Sequence, residues 1–262
     1  MAVLAFVVVT FAASWTLFVA GASLSSGASL GNNPVFLLGV FAPSLVALAV
    51  TAWTDGRDGV RALLRRVVLA PSSARWYVFA ITYMAAIRLA VAVIHRVVTG
   101  AWPAFGSEPV YIMVLAMLVS TPVQAGEEIG WRGYALPRLA KGVGLPTASI
   151  LVGIIWATWH LPLFFIPGTD KTGQSFPVYL LSVTALSVTM AWLYWRTDGS
   201  LLMTMLMHAS ANNATILAPA AVPGATDVFA VNTTLPGWIS LSLLWAGAIY
   251  FLVRMRGARL ST

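Results

Sequence analysis

Glu127 and Glu128 stand side by side at the end of an apolar stretch, Val110 to Ala125, and Arg132 follows four residues after Glu128. The chain has only eight acidic residues, so two of them together against a hydrophobic run are conspicuous. Ionisable groups at membrane depth persist where they pair, line a wet cavity or do chemistry. At a spacing of four, Glu128 and Arg132 share a helix face and are expected to pair. Glu127 points about 100° away from that face and is left free. The plainer reading is a structural ion pair with a spare carboxylate. The chemical reading is that Arg132 holds Glu128 while Glu127 faces a cavity. A carboxylate caught between desolvation and a nearby guanidinium is suited to act as a general base.

Two more segments carry polar groups inside apolar spans. Trp156-Ala-Thr-Trp159-His160 places Trp156 one turn before His160, where its ring can wall off or orient the imidazole. Leu161-Pro162 follows at once, and the proline is expected to bend the helix and free backbone carbonyls. His208-Ala-Ser-Ala-Asn212-Asn213 puts His208 and Asn212 on one face, where both can donate to a single point between helices. Taken singly, each segment also reads as ordinary packing: a hydrogen-bonded membrane histidine, or polar glue between helices.

These residues are positioned by helices. Of the 262 residues, 59% are hydrophobic and only 9% charged, far below the roughly 25% charged residues of a soluble domain. Long apolar blocks recur from end to end, so the chain reads as one polytopic membrane domain, residues 1–262. It has no cysteine, which excludes disulfides and thiolate chemistry. The formal charge of +7 does not indicate nucleic acid, because the basic residues sit in short loops between apolar spans.

The fold class is all-α, a bundle of about eight transmembrane helices. They are expected near 2–24, 34–53, 76–98, 110–134, 146–166, 177–196, 200–218 and 237–255. The first resembles the apolar region of a signal peptide. No Lys or Arg precedes it, however, and it is about 20 residues long, so a retained helix is expected. Basic loops alternate with loops poor in basic residues. Arg57 to Arg75, Arg138 with Lys141, Arg196, and Arg254 with Arg256 and Arg259 fall on one side. This pattern implies cytoplasmic N- and C-termini. Arg57, Arg61 and Arg65 repeat every four residues and suggest a short amphipathic helix on anionic headgroups. Gly126 and Gly130 are expected to permit close helix contact. At about 1.5 Å per residue, Glu127 lies ~15 Å, His160 ~20 Å and His208 ~12–15 Å from the expected cytoplasmic ends. All three therefore share one layer near the midplane, nearer the cytoplasm, and the site falls between helices 4, 5 and 7 of the eight. Independent structural roles do not predict that coincidence.

The ordered set Glu-Glu-x-x-x-Arg, aromatic-x-x-x-His and His-x-x-x-Asn on successive hydrophobic helices resembles the CPBP family of intramembrane proteases. That family includes the type II CAAX prenyl endopeptidases and bacterial relatives linked to bacteriocin immunity. The likeness covers about residues 110–216. One departure is Trp156, where the family usually has Phe. The resemblance implies that Glu127 is the catalytic carboxylate and His160 its partner in activating a water. It implies that His208 and Asn212 stabilise the oxyanion, with Glu128 and Arg132 in support. The chemistry agrees, since peptide hydrolysis without Ser or Cys needs a base for water and donors for the tetrahedral oxygen.

Two His and one Glu (Glu127, His160 and His208) could also bind zinc with an open position. No His-Glu-x-x-His motif is present, and a site without metal or other cofactor is expected. The expected partners are a membrane peptide or protein, lipidated or not, together with membrane lipids and no nucleic acid. The sequence leaves oligomeric state open. The expected location is a bacterial cell membrane. The rival reading is a non-catalytic membrane peptide binder or immunity factor. A proton-coupled transporter is third, since no internal repeat stands out. Arg88, in the middle of helix 3, is expected to neutralise a carboxylate of the cluster or to contact a substrate terminus.

Overall fold

The first helix, α1 (Ala2–Leu24), buries Phe6, Thr10, Ser14, Phe18 and Gly21, a stripe that repeats every three or four residues. That period fixes one inward face on an otherwise apolar rod. The stripe lies against α2 (Pro34–Arg65), where Ser14 Oγ donates to the Gly39 carbonyl at 2.9 Å. The structure is a computed structural model and describes residues 2–25, 30–214, 217, 227–258 and 260. Every regular element among those residues is helical.

α2 overruns its expected end at residue 53. Asn33 caps its start by accepting from the Val35 and Phe36 N–H groups. At Gly56 the backbone turns to φ 66° and ψ −163°, a conformation that glycine adopts without steric cost. Beyond that kink, Arg57, Arg61 and Arg65 are exposed and Leu63 is buried. The expected amphipathic helix is therefore present as a redirected continuation of α2.

α3 (Ala74–Thr99) follows the expected range closely. The fourth expected helix, 110–134, is not one rod. α4 (Val110–Ser120) stops, Pro122–Gln124 form a 3-10 turn, and the axis bends by 41°. Pro122 has no N–H to continue the ladder, and its ring collides with the carbonyl four residues back. The chain resumes as α5 (Ala125–Glu128), widens to a π-helix over Ile129–Ala135, and returns to α6 (Leu136–Val143). The Leu136 N–H donates to Trp131 O, the i to i−5 bond of a π turn. Such widenings recur at functional sites. Gly126 and Gly130 do admit a neighbour. A Cβ on Gly130 would lie 2.7 Å from the Pro43 carbonyl oxygen of α2, and one on Gly126 would lie 3.1 Å from the Phe41 ring.

The fifth expected helix, 146–166, also divides. α7 (Leu145–Trp159) ends one residue before His160, and Leu161–Phe164 form a 3-10 turn around Pro162. α8 (Phe176–Arg196) and α10 (Leu235–Arg254) match expectation within two residues. α9 (Leu201–Asn213) starts as expected, capped by Ser200. Its expected end near 218 lies mostly outside the described residues.

Five described helices are long and apolar enough to cross a membrane, or six if the bent α4–α6 unit counts as one. α7 and α9, with 15 and 13 described residues, fall short of the ~20 needed to span. By length, then, the expected count of eight is reached only if these two short helices are included. Both are packed among the longer ones. α7 lies along α8, and α9 along α3.

Candidate active site

The break at the end of α7 sets up the first polar group. The His160 N–H donates to Ala157 O at 3.1 Å, a tight i to i−3 bond, instead of reaching Trp156 O. The Trp156 carbonyl is thereby freed, and His160 Nδ1 lies 2.9 Å from it. A carbonyl only accepts, so Nδ1 carries the hydrogen, and Nε2 of the neutral ring is left with a lone pair. The next carbonyls follow the same logic. Leu163 N–H donates to His160 O, and Trp159 O is left to accept from Trp15 Nε1 of α1 at 3.0 Å. Pro162, expected to bend the helix and free carbonyls, lies just past the helix end, but the carbonyl that orients the histidine is Trp156 O, released because the His160 N–H turns to Ala157.

The bend after α4 carries the carboxylates inward. Glu128 and Arg132 are both fully buried, and Arg132 Nη1 donates to Glu128 Oε1 at 2.8 Å, the expected i,i+4 pair. Arg132 also stacks 4.1 Å above the Trp156 ring and donates from Nη2 to Met190 Sδ at 3.3 Å. The same Glu128 oxygen receives His208 Nδ1 at 3.0 Å. His208 therefore presents Nε2 to the cavity, and that nitrogen donates only when the ring is an imidazolium.

Glu127 faces away from this pair, and its Oε2 accepts from Trp156 Nε1 at 2.6 Å. Trp156 is therefore more than the aromatic wall expected from sequence. Its N–H holds Glu127, its face carries Arg132, and its edge meets His208 with ring centroids 5.0 Å apart. The signal available in the sequence was the indole nitrogen, a donor that a phenyl ring lacks.

Glu127, Trp156, His160, His208 and Asn212 line one cavity of about 840 Å³, within the ~300–1,000 Å³ typical of ligand pockets. Of the two neighbouring asparagines, Asn213 is committed. Its Nδ2 donates to Ala209 O at 2.8 Å and to Ser120 Oγ at 3.2 Å. Asn212 is exposed in the cavity wall, as the four-residue spacing from His208 requires. Sequence reasoning missed Tyr179, which also lines the cavity, with its ring 5.4 Å from that of His160. Nothing in local periodicity marks a tyrosine on α8 as a site residue.

The cavity reaches beyond these residues. It extends to Asp170, Lys171 and Gln174 before α8 and to Thr233 before α10. Those loops lie at the helix ends opposite Arg138, Lys141 and Arg196, so the cavity reaches the face away from the basic loops. Arg88 lines the same cavity, and among the described residues it forms no ion pair.

The alternative metal set is not assembled. Among the described residues, no group of three His, Cys, Asp or Glu is placed to hold a metal ion, and this includes Glu127 with His160 and His208.

The region that carries this cavity is similar to a known class of membrane protein. Residues 106–214 match the family model described as type II CAAX prenyl endopeptidase Rce1-like. That range contains Glu127, Glu128, Arg132, Trp156, His160, His208 and Asn212. A particular relative is the CAAX prenyl protease 2 of Methanococcus maripaludis. It is 31% identical over 110 residues, which cover 40% of this chain and 39% of the relative. The matched stretch thus spans about two fifths of that relative's length.

Proposed function

We propose that the chain is an intramembrane endopeptidase that uses Glu127 and His160 to activate a water and His208 with Asn212 to stabilise the oxyanion. The observation that carries the reading is the convergence of all four on one cavity, with Glu127 and His160 each held by Trp156 and His208 held by Glu128. Trp156 engages Glu127 Oε2, which leaves Oε1 to take a proton from water. His160, with its hydrogen fixed on Nδ1, offers the Nε2 lone pair as a second acceptor for the same water. The hydroxyl oxygen attacks the scissile carbonyl as its proton passes to Glu127. The tetrahedral oxygen receives hydrogen bonds from Asn212 Nδ2 and from the His208 imidazolium. Glu127 then returns the proton to the departing amine as the C–N bond breaks. No metal enters this scheme, and activity is expected to survive chelation and dialysis.

The substrate is a peptide bond in a membrane-associated peptide. The likeness to a CAAX prenyl protease makes a prenylated peptide the first candidate to test. The other reading, a non-catalytic peptide binder or immunity factor, uses the same cavity but has no need of an oriented water-activating pair. The test is mass spectrometry of membrane peptides from cells expressing wild type or Glu127→Gln. The glutamine keeps the acceptor for Trp156 and removes the base. Cleavage is expected to fall by at least the ~10²–10⁴-fold attributed to acid–base catalysis. Turnover within about tenfold of wild type would overturn the assignment and favour the binder.

A further inference from the structure

Arg88 lines the cavity with no ion pair among the described residues and no role in the proposed chemistry. It sits 15th of the 26 residues of α3. About 16 Å of helix separate it from the outer end and about 21 Å from the other, at 1.5 Å per residue. An arginine cannot snorkel that far. Its Nε and Nη1 are buried without a hydrogen-bond partner, which leaves Nη2 as the nitrogen that meets the cavity. The other cavity charges are accounted for. Lys171 pairs with Asp170 at 2.6 Å, and Glu127 is held by Trp156. An unpaired guanidinium at membrane depth is costly, and such groups mark a ligand path.

We propose that Arg88 is a carboxylate-binding point inside the catalytic cavity, where it receives the free carboxylate that ends the substrate chain. The proposal rests on the endopeptidase reading and adds to it a rule of selection. The enzyme would cleave near a chain end because that end is held at Arg88 while the scissile bond lies at Glu127. From Nη2 the guanidinium can give a carboxylate a charge-assisted hydrogen bond, and its fixed positive charge favours an anion there. A peptide offers only two such anions, its terminus and an Asp or Glu side chain. The terminus is favoured because it brings its charge without requiring a particular residue in an otherwise apolar segment.

The experiment uses the full chain in detergent and three versions of one prenylated peptide. These are a free acid, a C-terminal amide, and an amide carrying one glutamate near its end. Cleavage is followed by mass spectrometry. Binding of the same peptides is followed by thermal protection of the Glu127→Gln protein, which does not need turnover. In wild type the free acid is expected to be cleaved about 10–100-fold faster than the plain amide, the range for a hydrogen bond to a charged group. In Arg88→Gln that ratio falls to near one, and Arg88→Lys, which keeps a point charge, retains part of it. Parity between the glutamate-bearing amide and the free acid, lost in Arg88→Gln, would assign the carboxylate to a side chain and overturn the chain-end rule. Equal rates for acid and plain amide in wild type would overturn the proposal and leave the endopeptidase standing. No cleavage of any peptide, with Arg88-dependent protection by the acid alone, would support the carboxylate site and sink the protease. Protection by phosphatidylglycerol micelles and by none of the peptides would overturn it in favour of a lipid phosphate.

Discussion

Removing Glu128 is expected to damage the protein in a way that removing Glu127 does not, and the structure sets the size of the difference. Glu128 Oε1 accepts from both Arg132 Nη1 and His208 Nδ1, and the side chains of Glu128 and Arg132 are wholly buried. Breaking a buried pair by deleting one partner costs about 3–5 kcal/mol, because the surviving charge is stranded away from water. Arg132 retains the Trp156 ring and the Met190 sulfur, and a desolvated cation–π contact contributes about 2 kcal/mol. The expected loss for Glu128→Gln is therefore near the lower end, about 3 kcal/mol. Glu127→Gln removes a buried charge that has no cationic partner in contact and keeps the carbonyl that accepts from Trp156. It is expected to stay within about 1 kcal/mol of wild type. The double variant Glu128→Gln/Arg132→Met removes the stranded cation and should recover most of the loss. Unfolding in mixed micelles at rising SDS, read by circular dichroism, gives all three values. If Glu128→Gln is no less stable than Glu127→Gln, the division of the two carboxylates into a structural and a chemical one is refuted.

Trp156→Phe keeps the ring beneath Arg132 but deletes the donor to Glu127. Turnover is expected to fall about tenfold or more with KM little changed, measured by steady-state cleavage, and an unchanged kcat would remove Trp156 from the positioning of the base. Gly130→Ala would drive a Cβ to 2.7 Å from the Pro43 carbonyl oxygen, so α2 has to yield, and a loss of about 1–3 kcal/mol is expected in the same SDS titration. The chain lacks cysteine, so single cysteines report topology cleanly. If the basic loops are cytoplasmic, a cysteine at Ser72 should resist an impermeant thiol reagent in intact cells, and one at Ser107 should react. The reverse pattern would invert the orientation.

What the sequence determined by itself was whatever depends on local spacing. The apolar blocks fixed an all-helical membrane protein, because a backbone in lipid has to satisfy its polar groups within a helix or a closed barrel. The four-residue steps fixed the Glu128–Arg132 pair and the shared face of His208 and Asn212, because such neighbours meet on any helix whatever surrounds it. Proline at 162 signalled a helix end beside His160, since a missing N–H interrupts the ladder wherever the residue sits. The break at Pro122 and the π widening after Glu128 were not legible in the same way. A proline within an apolar run is also compatible with a continuous kinked span, and the π turn lies where Gly130 and Gly133 come close to side chains and backbone distant in sequence. Only the tertiary structure joined Trp156 to Glu127, 29 residues apart, and His208 to Glu128, 80 residues apart. Those contacts depend on how each helix is rotated about its axis relative to the others. Periodicity identifies an inward face but does not say which side chain of the next helix that face will meet.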